Sequence, residues 1–385
     1  MNRATELMQR ACIGTGLQNF GEDSFREGLE RLVRSADTEG RLSPSGAAAF
    51  DGQLVHYLSQ RLQVEDWYHR HPEIDDQQIV APLIGLGLPR TGSTALGHML
   101  GEDPAIRSLR NWEASTPCPP PETATEHTDP RIEIARRSLA LRGERFPRMR
   151  AMFPSSATGP TECQALQGMD FKSHLFQAQV QVPSYSQWLN NEADLVPTFR
   201  FVKRVLKLLQ WRCPPTRWRL KNPSNTVFIG ALNEVFPDAR FWMTHRDIAA
   251  VVPSSADLYS EIAGEFSDDV DRHYMGKLNA DTWELGMRRT IAFRDAGNEH
   301  RFFDVHFAPF QEDPFPIIEK LYVFLGETFT PEARERMRRW RAESSRESQG
   351  THRYDPADFG LSVAALRERF RFYTERFGVQ ILPDV

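Results

Sequence analysis

Apolar residues recur at helical spacing over the first part of the chain: Phe25, Leu29, Leu32 and Val33, then Leu54, Leu58 and Leu62, among many helix formers. This spacing predicts a helical N-terminal extension over residues 1–78. Around Glu65 to Gln78 the chain becomes acidic and polar, then switches to Ile79–Leu88, an apolar run that reads as a buried strand broken by a glycine turn. Thr94–Met99 has helical character until Asp103-Pro104 stops it, so the local order is strand, glycine turn, helix. Pro117–Thr128, with the triplet Pro119-Pro120-Pro121, cannot be helical and reads as a surface connection. Helical segments follow over Arg131–Arg145, Glu162–Gln181 and Thr198–Trp211, with the aromatics of Tyr185–Leu189 between the last two, which together predict a mainly helical lid insertion at about 111–215. Beyond it, strands at Trp218–Lys221, Arg240–Thr244 and Arg301–His306 alternate with helices, among them Pro314–Leu325 and Pro331–Arg341. Alternation of this kind implies an α/β domain over 79–385 with a central parallel sheet.

Composition narrows the class. With 385 residues the chain has ample length for a large core, and 26% charged and 40% hydrophobic residues are globular values. Forty-seven Lys plus Arg against 52 Asp plus Glu leave a net charge of −5, which lacks the basic excess of a non-specific nucleic-acid binder. No nucleic-acid partner is expected. Cys12, Cys118, Cys163 and Cys213 are scattered, with no C-x-x-C pair, and read as reduced thiols rather than metal ligands or a redox pair. No apolar run approaches the ~18 residues of a transmembrane segment, and the N-terminus has no apolar leader core, so the expected location is the cytoplasm.

The chemistry is carried by two anion motifs. Gly87-Leu-Pro-Arg-Thr-Gly-Ser-Thr94 has the frame G-x-x-x-x-G-x-[ST] between a buried strand and a helix, where backbone amides and the helix dipole cradle a phosphate. Ser93 stands where a nucleotide triphosphatase needs lysine. The cation is instead Arg90, with the Ser93 and Thr94 hydroxyls as further donors, an arrangement suited to anion transfer without an obligatory metal. The second motif is Phe241-Trp-Met-Thr-His-Arg-Asp247, a strand ending in Arg246 and followed on the next helix by Ser254. A guanidinium binds phosphate bidentately, and a serine early in a helix adds a hydroxyl to the same anion. Taken singly, the loop could be a plain glycine connection and Arg246 an ordinary strand-end ion pair with Asp247; a nucleotide with phosphates at both ends is what the family resemblance of the two together implies.

Leu88-Pro-Arg-Thr-Gly-Ser-Thr-Ala-Leu96 resembles the 5′-phosphosulfate loop of the sulfotransferases that use 3′-phosphoadenosine-5′-phosphosulfate (PAPS), and Arg246 with Ser254 resembles their 3′-phosphate grip. Trp218-Arg-Leu-Lys-Asn-Pro-Ser-Asn225 is similar to their intervening Leu-Lys-x-Pro segment. The resemblance runs from Ile79 to Leu361 and is to the bacterial branch. It implies that Arg90, Thr91, Gly92, Ser93 and Thr94 hold the 5′-phosphosulfate and that Arg246 and Ser254 hold the 3′-phosphate. Arg90 and Lys221 would stabilise the transition state. The histidine that follows this lysine in cytosolic relatives is absent, Asn222-Pro-Ser-Asn225 standing there, so the base falls to another residue. Glu113, in Trp112-Glu-Ala-Ser-Thr-Pro117 and resembling a bacterial Trp-Glu element, is the first choice; a salt bridge or cap is the plain alternative. His98 and His174 are weaker candidates. Ser348-Gln-Gly-Thr-His-Arg-Tyr-Asp-Pro356 resembles a late family loop that closes over the nucleotide, which offers Gly350, His352 and Arg353 as further ligands.

The expected activity is therefore sulfuryl transfer from PAPS to a hydroxyl of a small-molecule acceptor, with 3′-phosphoadenosine-5′-phosphate (PAP) as product and no metal. Phe153, Phe171, Phe176, Tyr185 and Trp188 in the insertion suggest a hydrophobic acceptor if some line the pocket, although core packing is the more ordinary use of such residues. A degenerate P-loop kinase or ATPase and a non-catalytic nucleotide-binding protein are the competing readings. The oligomeric state is open, and a homodimer is compatible with the sequence.

Overall fold

The computed structural model describes residues 2–152, 155–347 and 354–382. The chain divides into two compact units, one formed by residues 1–80, 109–216 and 259–270 and the other by 81–108, 217–258 and 271–385.

The first unit is helical. Its N-terminal segment forms Arg3–Thr15, Ser24–Glu39 and Pro44–Arg70, as the apolar spacing predicts. Pro130–Arg145 and Val196–Gln210 also match expectation, the latter presenting buried Val202, Val205, Leu206 and Leu209 along one side. The expected helix over Glu162–Gln181 is instead two short ones, Gln164–Gly168 and His174–Gln179. Buried Asp170 lies at the break, accepting from Arg61 Nη1 at 3.0 Å, Ser24 Oγ at 2.7 Å and Thr198 Oγ1 at 2.6 Å. Satisfying that carboxylate from three separate helices overrides the local helical preference. Phe171, Phe176, Tyr185 and Trp188 are buried with Phe25, Phe50 and Tyr57, Phe171 and Phe176 stacking at 6.0 Å. These four therefore serve the core of this unit; Phe153 lies outside the described residues.

The second unit is a mixed α/β layer built on five parallel strands: β1 Leu83–Gly87, β2 Arg107–Ser108, β3 Trp218–Lys221, β4 Arg240–His245 and β5 Phe302–His306. They are ordered β2-β3-β1-β4-β5, with Gly85 of β1 in register with Lys221 on one side and Trp242 on the other. Side chains alternate across the sheet. Trp242 packs with Leu83, Leu96, Val305 and Tyr322 on one face, and Met243 with Ile248, Trp283, Phe370 and Tyr373 on the opposite one. Gly85 is required by this packing, because a Cβ there would come within 2.1 Å of the Trp242 ring. β1 and β4, which carry the two anion motifs, and β3, which carries Lys221, run parallel and end on the same side of the sheet. Parallel strands direct their C-terminal ends to one rim, where ligands of such sheets bind.

Candidate functional site

β1 delivers its C-terminal end into a turn that most residues would resist. Gly87 and Gly92 have φ of +104° and +84°, and Arg90 itself has φ of +60°, a left-handed conformation uncommon for a residue with a side chain. Thr91 fastens the turn: its buried hydroxyl donates to the Leu88 carbonyl at 2.7 Å and lies 2.5 Å from the Thr244 hydroxyl of β4. Gly92 caps the helix Ser93–Gly101, whose first amides face the turn. Ser93 is buried at the first helical position, while Thr94 accepts from Lys221 Nζ at 3.1 Å. Lys221, at the end of β3, is thus brought against the loop.

The second motif meets the first. Arg246 follows β4, and its Nη1 donates to the Arg90 carbonyl at 2.9 Å; Arg90 Nε in turn lies 3.1 Å from Ser254 Oγ on the helix Ile248–Ala263. The Arg246 guanidinium lies 4.2 Å from the centroid of the Phe307 ring, and its Nε is buried without a hydrogen-bond partner among the described residues. Just before it, His245 is 2.8 Å from Asp304 Oδ1 on β5 and 3.2 Å from the Tyr373 hydroxyl, which anchors the strand end. Burial and then the Arg246 charge push the Arg90 pKa down, with Tyr354 and Asp257 opposing. Burial likewise lowers that of Arg246. Two guanidiniums held this close repel each other, and an anion relieves that repulsion. The chemistry of the cluster suits an oxyanion such as phosphate or sulfate.

Six expected residues are thereby assembled: Arg90, Thr91, Thr94, Lys221, Arg246 and Ser254, with Gly92 and Ser93 in the same turn. Gly350, His352 and Arg353 lie outside the described residues. Glu113 belongs to the first unit, at the third position of the helix Asn111–Ser115, and is fully buried. Its Oε2 accepts from the Arg110 amide at 3.2 Å and its Oε1 from Arg110 Nη2 at 2.5 Å. Burial works against the Arg110 charge, yet Glu113 and Glu126 raise its pKa overall. A capping and ion-paired carboxylate is thus what the structure displays at Glu113. His174, also in the first unit, is fully buried, with Nε2 2.7 Å from Asn190 Oδ1.

The sequence reading missed Phe307 and Tyr354 as parts of this site. Tyr354 donates to the Ala250 carbonyl at 2.8 Å and lies beside both arginines; burial raises its pKa while the Arg246 charge opposes. No local motif marks Phe307, whereas Tyr354 stands in the late loop motif 348–356, from which the sequence reading takes Gly350, His352 and Arg353 instead. Among the described residues no cluster of three or more His, Cys, Asp or Glu is disposed to hold a metal ion, and no helix is long and apolar enough to cross a membrane.

A model described as the Sulfotransferase family matches residues 82–331. Sulfotransferase STF9 from Mycobacterium avium superposes with a TM-score of 0.92 at 32% identity, over 99% of this chain and 98% of that one. Sulfotransferase STF1 from Mycobacterium tuberculosis H37Rv gives 0.82 at 31% identity, over 96% of this chain and 98% of its own. The search of curated proteins returned no match. With a family model covering most of the chain and two mycobacterial sulfotransferases matching nearly its full length, the chain belongs to the sulfotransferase family.

Proposed function

We propose that this sulfotransferase moves a sulfuryl group from PAPS to a hydroxyl of a small, hydrophobic acceptor and releases PAP. The observation that carries this reading is the join between the two anion motifs: Arg90 of the loop reaches Ser254, and Arg246 reaches the Arg90 carbonyl. A nucleotide bearing anions at both its 5′ and 3′ ends matches such a paired site. The buried Nε of Arg246, without a hydrogen-bond partner among the described residues, fits a phosphate, since buried donors are rarely left unsatisfied.

The donor supplies the group transferred and the phosphate that leaves. In the proposal the amides of the turn, with Thr91, Gly92, Ser93 and Thr94, hold its 5′ end; Arg246 and Ser254 hold the 3′-phosphate, joined by Gly350, His352 and Arg353. As the acceptor oxygen approaches in line, charge builds on the departing phosphate oxygen, and Arg90 and Lys221 stabilise it from fixed positions. Glu113 takes the acceptor's proton. That assignment is supported by the position of Glu113 soon after the loop helix, and it requires Arg110 to yield one of the carboxylate oxygens it now holds. The hydrophobic acceptor is an expectation from the aromatic content of the insertion, and since Phe171, Phe176, Tyr185 and Trp188 pack in the core of their own unit, screening begins with both phenols and aliphatic alcohols.

Arg90→Ala and Arg246→Ala test the division of labour. Both are expected to weaken PAP binding about 10- to 100-fold, the worth of charge-assisted hydrogen bonds. Arg90→Ala also lowers kcat at saturating donor, by about 10²- to 10³-fold. Equal turnover of Arg90→Ala and wild type at saturating donor would remove Arg90 from the transition state.

A further inference from the structure

The helix Ser93–Gly101 offers the site more than its amides. Thr94 and His98 lie one turn apart and share a face of this helix. The Lys221 side chain runs along it: a Cβ at Gly97 would lie 3.9 Å from Lys221 Cδ, and Nζ ends 3.1 Å from Thr94 Oγ1. Behind, the His98 ring stacks on Trp340 of the helix Pro331–Glu347, with centroids 5.5 Å apart and planes 19° from parallel. The imidazole is therefore held in place beside the pair that grips the loop.

Burial, and after it the Lys221 charge, push the His98 imidazole down to about 4. Lys221, from β3, is the charge that acts on it. The helix Pro331–Glu347 turns Trp340 toward it, while Arg336, Arg339 and Glu343 of that helix act on Glu102 at the far end of the loop helix. His98 is thus neutral at neutral pH, and the lysine that opposes its protonation is the one expected to meet the donor.

We propose that His98 is a further residue of the transferring-group site, one that takes up a proton from solvent in acid as an anionic donor settles against Lys221 and Thr94. Below the midpoint of the liganded ring, donor binding then recruits a third cationic group beside Arg90 and Lys221. The physical reason is that an anion at this place cancels the repulsion of Lys221 and adds an attraction of its own. Linkage fixes the sign: donor affinity gains from His98 as pH falls toward the midpoint of the liganded ring, and the gain disappears well above it. The inference rests on the proposed reading of the loop and Lys221 as the 5′ site.

The test follows the ring itself. In the full chain labelled with ¹³C-histidine, the His98 signal is identified by its loss in His98→Gln and titrated with and without PAP, whose 5′-phosphate provides the anion. The midpoint is expected to rise by about one pH unit or more when PAP binds. A midpoint that stays put while PAP is bound overturns the inference and leaves the donor reading intact; no binding of PAP to wild type overturns both. A second arm uses no ligand: in Lys221→Gln the His98 midpoint should rise, and an unchanged midpoint breaks the proposed link. The pH profile is a third readout, since His98→Gln should bind PAP like wild type at alkaline pH and progressively less well than wild type as pH falls. A constant deficit at every pH would signal a structural role only.

Discussion

Arg90 holds its side chain on a backbone, φ +60°, that ordinarily costs a non-glycine residue about 1 to 3 kcal/mol. Such strain persists where the surroundings enforce it, and here they are the Thr91 bonds and Arg246 on the Arg90 carbonyl. Arg90→Gly should therefore leave the melting temperature unchanged or raised while turnover is lost, and a large fall in Tm would show that the arginine is structural. Glu113 separates in a similar way. Glu113→Gln keeps the shape and, if Glu113 is the base, lowers kcat about 10²- to 10⁴-fold with PAP affinity unchanged; undiminished turnover would return it to the role of a cap. Glu113→Ala should destabilise toward the low end of the ~3–5 kcal/mol of a broken buried pair, because Arg110 keeps Glu126 at 2.7 Å. His174 gives the acid dependence. Burial, against the Asn190 bond, lowers its pKa to about 4, below the ordinary value of about 6.5 for the unfolded chain. The stabilisation from the neutral ring is full above about pH 6.5 and is lost as pH falls toward about 4, on the order of 3 kcal/mol at most. His174→Gln should flatten that part of the stability profile measured by denaturant unfolding; an unaltered slope would contradict the burial argument.

Among the elements, the strand-turn-helix around Arg90 and the strand ending at Arg246 were legible because each is a contiguous run in which a strand leads into a cation, with glycines marking the turn at Arg90. Lys221 was legible for the same reason. β2 was not: with only Arg107–Ser108 it is too short to leave a period. The break at Asp170 was hidden too, since its cause lies in Arg61, Ser24 and Thr198, which no local window contains. Phe307 escaped on the same ground, reaching Arg246 only through tertiary packing. The Gly85–Trp242 contact makes a direct test of the sheet. Gly85→Ala should cost about 1–3 kcal/mol or more, as overpacking does, and Trp242→Leu should recover part of that loss in the double variant. Additive losses would mean that the two residues do not share the space.

Across the whole chain, the balance of 47 basic and 52 acidic residues concealed a local concentration of positive charge, because Arg90, Lys221 and Arg246 come from three separate segments. Bulk charge spoke only against wide basic surfaces; the proposed anion site emerged from motif order and then from the parallel sheet that aligns the ends of β1, β3 and β4. The helical extension and insertion, distant in sequence, fold into one unit whose aromatic residues fill its own core, which explains why aromatic content spoke so weakly about the acceptor. The most direct measurement is a calorimetric titration of the full chain with PAP, run beside ATP plus magnesium, on wild type and Arg246→Ala. Tight binding of PAP that is lost in Arg246→Ala is the predicted result. Good binding of ATP with none of PAP would contradict the paired phosphate site and with it the PAPS-dependent reaction.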